Sequence, residues 1–140
     1  SLTNVYQLSY KLSDTSKEKL RVKRNKLGQV ASIEWYFADN ECWLGTEYIY
    51  DERGFVVKTD FSGPDGGGTE TYTYDSEDNL VKSKEISYIE GDEYSTESIY
   101  TITHKDSYGN WTIRKIKSIT KDGYSKDVEL KHEYRTINYR

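Results

Sequence analysis

The chain is poor in the residues that usually hold a small domain together. Its 140 residues include one cysteine, one proline and no methionine, and Leu, Ile, Val and Phe make up only about a fifth of the total. A single cysteine, Cys42, excludes an internal disulfide and any metal site built from several thiolates. Flanked by Glu41 and Trp43 where a strand begins, Cys42 reads as structural. No apolar run approaches the roughly 20 residues that cross a bilayer as a helix, and nothing has the order of a signal peptide. The chain begins at Ser1 without methionine, as one whose leader has been removed would. The 20 basic and 24 acidic side chains are scattered along it for a net charge of -4. No basic face gathers to draw a phosphate backbone, so nucleic acid is not an expected partner.

Tyrosine fills the aliphatic gap. There are 14 Tyr and 3 Trp, side chains with broad apolar faces and polar tips, which suit thin sheets with half-covered rings better than a thick interior. Apolar and polar residues alternate with a period of two in nearly every segment, and no window shows helical spacing. Ten strands are expected: Val5 to Leu12, Glu18 to Arg24, Gln29 to Phe37, Cys42 to Tyr50, Phe55 to Phe61, Thr69 to Tyr74, Asn79 to Ile89, Tyr94 to His104, Asn110 to Thr120 and Tyr124 to Thr136. Turns of hairpin length separate them. Parallel neighbours need crossovers of about a dozen residues, so the class is all-β and the topology an antiparallel meander, one domain over 1–140. It forms either an elongated, twisted single sheet or a partly closed barrel. Ser62 to Gly68, with the only proline, reads as a mobile hairpin tip, and Asp122-Gly123 as a type I′ turn.

Two stretches are nearly the same: Glu47 to Lys58, EYIYDERGFVVK, and Thr71 to Lys82, TYTYDSEDNLVK. Each reads as a Tyr-alternating strand, an Asp that opens a three-residue turn, and a returning strand with Val or Leu. Asp51 accepts backbone N–H groups and Gly54 takes the positive-φ position; Asp75 and Asp78 are their counterparts. Counting outward from Asp51 with Phe55 places Tyr50 opposite Val56 and Tyr48 opposite Lys58. The second copy gives Tyr74 with Leu80 and Tyr72 with Lys82. Weaker copies lie at NKLGQV (Asn25 to Val30) and KDSYGNWTIRK (Lys105 to Lys115), and the four turn openers Asn25, Asp51, Asp75 and Asp106 stand 26, 24 and 31 residues apart.

YIYDERGFV, YTYDSEDNLV and DSYGNW resemble the YD repeat of bacterial wall-associated, Rhs-type and teneurin proteins, above all its short divergent bacterial members, over roughly Lys19 to Lys117. The resemblance implies an antiparallel β-repeat module, often secreted or at the cell surface, without catalytic residues of its own. The chain departs from the repeat at Asp78, where glycine is usual, and at Thr103 and Lys105, which occupy tyrosine positions. Four units are too few to enclose cargo.

No constellation of catalytic type appears. His104 and His132 lack any metal-ligand spacing or nucleophile pairing, and the acidic groups Asp75, Glu77, Asp78 and Glu90, Asp92, Glu93 lack the spacing of a calcium loop and read as solvated turns. No cofactor, metal site or enzymatic activity is expected. Asn110-Trp111-Thr112 matches a glycosylation acceptor but is simply explained as a strand start. The binding candidates are the aromatic side chains Tyr48, Tyr50, Tyr72, Tyr74 and Trp111, with Trp35 as an outlying member. Exposed, they would suit a glycan or protein partner; buried, they are core. The expected function is a non-catalytic structural or interaction module of a bacterial envelope or secreted protein, extracellular, periplasmic or at the cell surface. The alternative is a carbohydrate-binding module that uses the Tyr/Trp stripe.

Overall fold

The computed structural model describes residues 5–13, 16–36 and 42–140, with side chains for 20–36 and 44–140. The turn expected at Ser13 to Lys17 in part, the turn at Ala38 to Glu41, the strand end at Phe37 and the side chain of Cys42 lie outside the described residues. Ten strands follow in order: β1 (Val5–Ser13), β2 (Ser16–Arg24), β3 (Val30–Tyr36), β4 (Cys42–Tyr50), β5 (Val56–Gly63), β6 (Gly66–Tyr74), β7 (Leu80–Ile89), β8 (Asp92–Lys105), β9 (Trp111–Lys121) and β10 (Lys126–Tyr134). All join one antiparallel sheet in sequence order, with β1 and β10 as its edges. The sheet is therefore an open meander and not a barrel. Among the described residues no helix is long and apolar enough to cross a membrane.

One layer leaves little inside. The chain exposes 10229 Å², whereas a compact chain of its 16.4 kDa exposes about 7500 Å². The only buried apolar side chain among those described is Ile116, and the other buried ones are Ser32, Thr59, Ser83 and Ser98. Stability must come from cross-strand pairs and half-covered rings rather than from a two-layer core.

Four hairpins share one turn. In each, the opener's N–H donates one backbone bond across the hairpin and its side-chain oxygen accepts two. Asp51 N–H donates to the Phe55 carbonyl (2.9 Å) and Asp75 N–H to that of Asn79 (2.9 Å). Asp51 Oδ1 accepts from the N–H groups of Arg53 (2.9 Å) and Phe55 (3.0 Å). Asp75 Oδ1 accepts likewise from Glu77 and Asn79, Asn25 from Leu27 and Gln29, and Asp106 from Tyr108 and Asn110. The third turn residue has positive φ in all four: Gly28 (79°), Gly54 (86°), Asp78 (65°) and Gly109 (83°). Asp is among the residues that tolerate this region, so the missing glycine does not break the third copy.

Just past each turn the register slips by one residue. Tyr50 pairs with Val56, but Ile49 pairs with Lys58 and Tyr48 with Thr59. Tyr74 pairs with Leu80, but Thr73 pairs with Lys82 and Tyr72 with Ser83. The expected pairs Tyr48–Lys58 and Tyr72–Lys82 are thus corrected: a β-bulge inserts Val57 and Val81 as extra residues. Ala31 and Thr112 occupy the same place in the outer copies. A bulge sets two residues against one, so Val56 and Val57 both stand on the Tyr50 side, and Leu80 and Val81 on the Tyr74 side.

The other connections differ from expectation in detail. The glycine-rich stretch is mostly strand, with Gly63 paired to Gly66 across Pro64 and Asp65; its backbone finds ladder partners on both sides and so is not a loose tip. At Asp122-Gly123 only the glycine has positive φ, and Asp122 and Ser125 close a longer loop. The pair with two positive φ values, as type I′ requires, is Glu90 (51°) and Gly91 (88°).

Candidate functional site

Strand register divides the sheet into two chemically distinct faces. One carries Ile33, Trp35, Leu44, Thr46, Tyr48, Thr59, Phe61, Gly68, Glu70, Tyr72, Ser83, Glu85, Ser87 and Ile89 from β3 to β7. We call it the aromatic face. The opposite face carries Glu34, Glu47, Lys58, Asp60, Lys82 and Lys84 over the same strands, and most of these charges are paired. Lys58 meets Asp60 at 3.0 Å, Lys82 meets Glu97 at 3.0 Å, and Glu34 meets Lys23 at 2.9 Å. Burial acts upward on the Glu34 carboxyl, but the Tyr36 hydroxyl first, then the Lys23 ammonium and the Arg21 guanidinium, outweigh it and hold the carboxyl below its ordinary range.

All five aromatic candidates are half-buried, neither core nor free platform, and four of them are occupied by neighbours. The Tyr50 hydroxyl donates to the Val30 carbonyl (2.7 Å) and the Tyr74 hydroxyl to the Val56 carbonyl (2.8 Å). Each therefore fastens its hairpin to the equivalent residue of the preceding one. The Tyr72 hydroxyl donates to Glu70 Oε2 (2.8 Å); burial first, and the Glu70 carboxylate in addition, push its pKa up to about 12. Trp111 lies beneath two guanidinium groups, Arg114 at 4.5 Å and Arg135 at 4.0 Å from the ring centre. Arg135 Nε also donates to the Trp111 carbonyl (2.6 Å), the position that Tyr50 and Tyr74 reach in earlier units. The fourth hairpin has Lys105 in the tyrosine place, and its ammonium instead meets Glu77 at 2.8 Å.

Tyr48 alone of the five lines an open groove. This concavity of about 740 Å³ crosses β3 to β7 at the end of the sheet away from the four shared turns. Its walls include Trp35, Leu44, Phe61 and Ile89, and its floor is the backbone of Gly63, Gly66 and Gly67. Beside that floor a Cβ on Gly68 would stand 2.7 Å from Phe61 Cζ and 2.5 Å from the Ile86 carbonyl oxygen, so the ring lies directly on the bare glycine, as aromatic rings rescue glycines in sheets. Trp35 was the outlying member of the stripe in sequence, while Phe61, Leu44 and Ile89 were missed. Their signal was the glycine run: glycine within a strand marks a close approach of other groups, and here neighbouring backbone and the Phe61 ring stand where side chains would be.

The acidic turns are used internally. Asp78 meets Arg53 at 2.5 Å and Glu77 meets Lys105, which ties the second turn to the third and the third to the fourth. Asn110 of the acceptor motif donates to the Tyr139 hydroxyl (2.7 Å). His104 and His132 are exposed, and no group of three or more metal-ligating side chains forms among the described residues.

The recurring geometry therefore consists of an Asx-stabilised turn, a bulge and a tyrosine clasp to the preceding unit. The profile of the teneurin YD-shell family matches residues 1–108, which spans the first three of these hairpins and the opening of the fourth turn. No curated protein and no solved structure matches the chain. On the family match and the repeated hairpin together, the chain belongs to the teneurin YD-shell family.

Proposed function

We propose that the chain is a non-catalytic β-repeat scaffold that works outside the cytoplasm, in a secreted or cell-surface protein, and that its aromatic face is where it meets a partner. The observation that carries this reading is the asymmetry of the sheet. One face is laced with ion pairs, while the other presents half-covered rings and an apolar groove with no second layer among the described residues. Antiparallel sheets ordinarily cover one face and solvate the other, and exposed apolar patches mark interaction sites. Family membership supports both the structural role and the extracellular setting. A bacterial origin rests on the resemblance of the repeats alone.

The carbohydrate reading changes place. Tyr50, Tyr72, Tyr74 and Trp111 are engaged with neighbouring groups, so a sugar would have to use Tyr48 and Phe61 in the groove.

Photocrosslinking in the producing cells tests the proposal. Benzoylphenylalanine placed at Thr46 or Ser87, on the aromatic face, is expected to give discrete adducts, and the same probe at Thr71 on the charged face none. Equal adducts from both faces, or none from either, would refute an interaction face. An impermeant amine reagent applied to intact cells should label the lysines; labelling only after lysis would refute the location.

A further inference from the structure

The groove is acidic as well as apolar, and that restricts what fits it. Among the described residues its only charged wall residues are Asp65 and Glu85, and no Lys, Arg or His lines it. Neither carboxylate takes part in an ion pair among the described residues. Glu85 also stands directly across from Glu70, on the same face, an arrangement of like charges that weakens a sheet. The lysines of β5 and β7, Lys58, Lys82 and Lys84, all project from the other face by register and do not offset them. From β3 to β7 the aromatic face thus carries Glu70 and Glu85 and no cation along its strands.

We infer that the groove receives an extended segment of a partner protein in which a Lys or Arg is flanked by apolar side chains. This rests on the reading of the aromatic face as an interaction surface, and names the chemistry of what it meets. The apolar side chains lie against Trp35, Leu44, Phe61 and Ile89, and the bare backbone of Gly66 and Gly67 lets the segment approach closely. Its cation sits against Glu85 at the margin of the groove, beside the facing Glu70, relieves their repulsion, and gains charge-assisted hydrogen bonds at the edge of a partly desolvated trough. A volume of about 740 Å³ falls within the range of small-ligand sites and suits the side chains of a few residues.

The test is fluorescence anisotropy on the whole chain with a labelled pentapeptide in which Lys alternates with Phe and Leu, and a twin with Glu in place of Lys. The Lys peptide is expected to bind at least about tenfold more tightly than its twin. Glu85→Gln should remove most of that preference while leaving the thermal midpoint unchanged or slightly raised, because a like-charge pair is lost. Trp35→Ala should weaken the Lys peptide, and a melt reads whether that variant is folded; if it is not, Leu44→Ala takes its place. Equal affinity for the two peptides, undiminished binding by Glu85→Gln, or no binding of the Lys peptide would overturn the inference. So would occupancy by a second copy, read as dimerisation in sedimentation that Glu85→Gln does not alter, or binding of a neutral oligosaccharide that the Lys peptide fails to displace. Any of these can occur while face-selective crosslinking persists, and loss of that selectivity defeats the broader reading.

Discussion

The two faces of this sheet are made by the same strands, yet they are held by different physics. On the charged face Lys58, Lys82 and Lys23 each find a carboxylate within 3.0 Å, but these pairs are largely exposed, where each contributes about 0–1 kcal/mol. On the aromatic face Tyr72 and its neighbours cover Thr59 and Ser83, which are 7% and 4% exposed. Further along, Ser98 bonds Ser118 (2.8 Å) and Thr96 bonds Thr120 (3.0 Å). The difference teaches that a one-layer sheet puts its cohesion on one side. The charges mainly keep the other side soluble and unattractive to further strands.

That asymmetry can be broken by substitution and read in denaturant midpoints. Tyr72→Ala should cost most, about 2–3 kcal/mol, because it uncovers two small buried residues and removes a half-buried ring. Next is Gly68→Ala, about 2 kcal/mol, since the new methyl meets both the Phe61 ring and the Ile86 carbonyl and must displace both. A negligible loss there would mean that Phe61 does not rest on the glycine. Tyr74→Phe keeps the ring and removes only the bond to the Val56 carbonyl, for about 1 kcal/mol. Lys82→Ala on the charged face should stay within about 0.5 kcal/mol; a loss as large as that of Tyr72→Ala would erase the contrast between the faces.

The turns belong to neither face, and acid should weaken both together. The Asn79 N–H holds the Asp75 carboxyl below its ordinary value. At Asp106 the Tyr139 hydroxyl does most of the same work. At Asp51, burial acts upward but is outweighed by Arg53 and the backbone N–H groups of the turn. A carboxyl depressed on folding stabilises the native state above its unfolded pKa, about 4, and that contribution fades as pH falls through the lower folded value. Urea midpoints should therefore drop below about pH 4. Asp75→Asn should flatten part of the drop with little change at neutral pH, because Asn25 already makes the same turn without a charge. An unchanged acid profile would show that Asp75 is not held this way.

Much of the fold was legible because period-two alternation and turn chemistry are local. The ten strands, the antiparallel meander as a single sheet or partly closed barrel, and the four turn openers follow from residues adjacent in the sequence. The register beyond each turn was misjudged by one position because a bulge reverses the alternation. Its trace was present in the adjacent aliphatics Val56-Val57 and Leu80-Val81, which cannot stand on one side of a regular strand. The orientation of the tyrosines depends on what lies across a face, and no local pattern encodes that. The groove was less legible still. It is a product of three consecutive glycines paired within β6 opposite Phe61 and Ile89, and in sequence such a run looks like a loop.

Strict neighbour-to-neighbour order among the ten strands also bears on how the chain reaches its structure. The most distant strand partners, Ser95 and Lys121, lie roughly 26 residues apart, so no strand must wait for a remote one and little loop-closure entropy stands in the way. All-β folds are usually slow because their pairings are non-local, and this one has the locality of a helical bundle. Any of its hairpins can serve as a nucleus from which the sheet zips outward on both sides, as repeat proteins do. The tyrosine clasps give that growth a built-in sense at the second and third hairpins, since Tyr50 and Tyr74 each bring the hydroxyl that locks their hairpin onto the one before it.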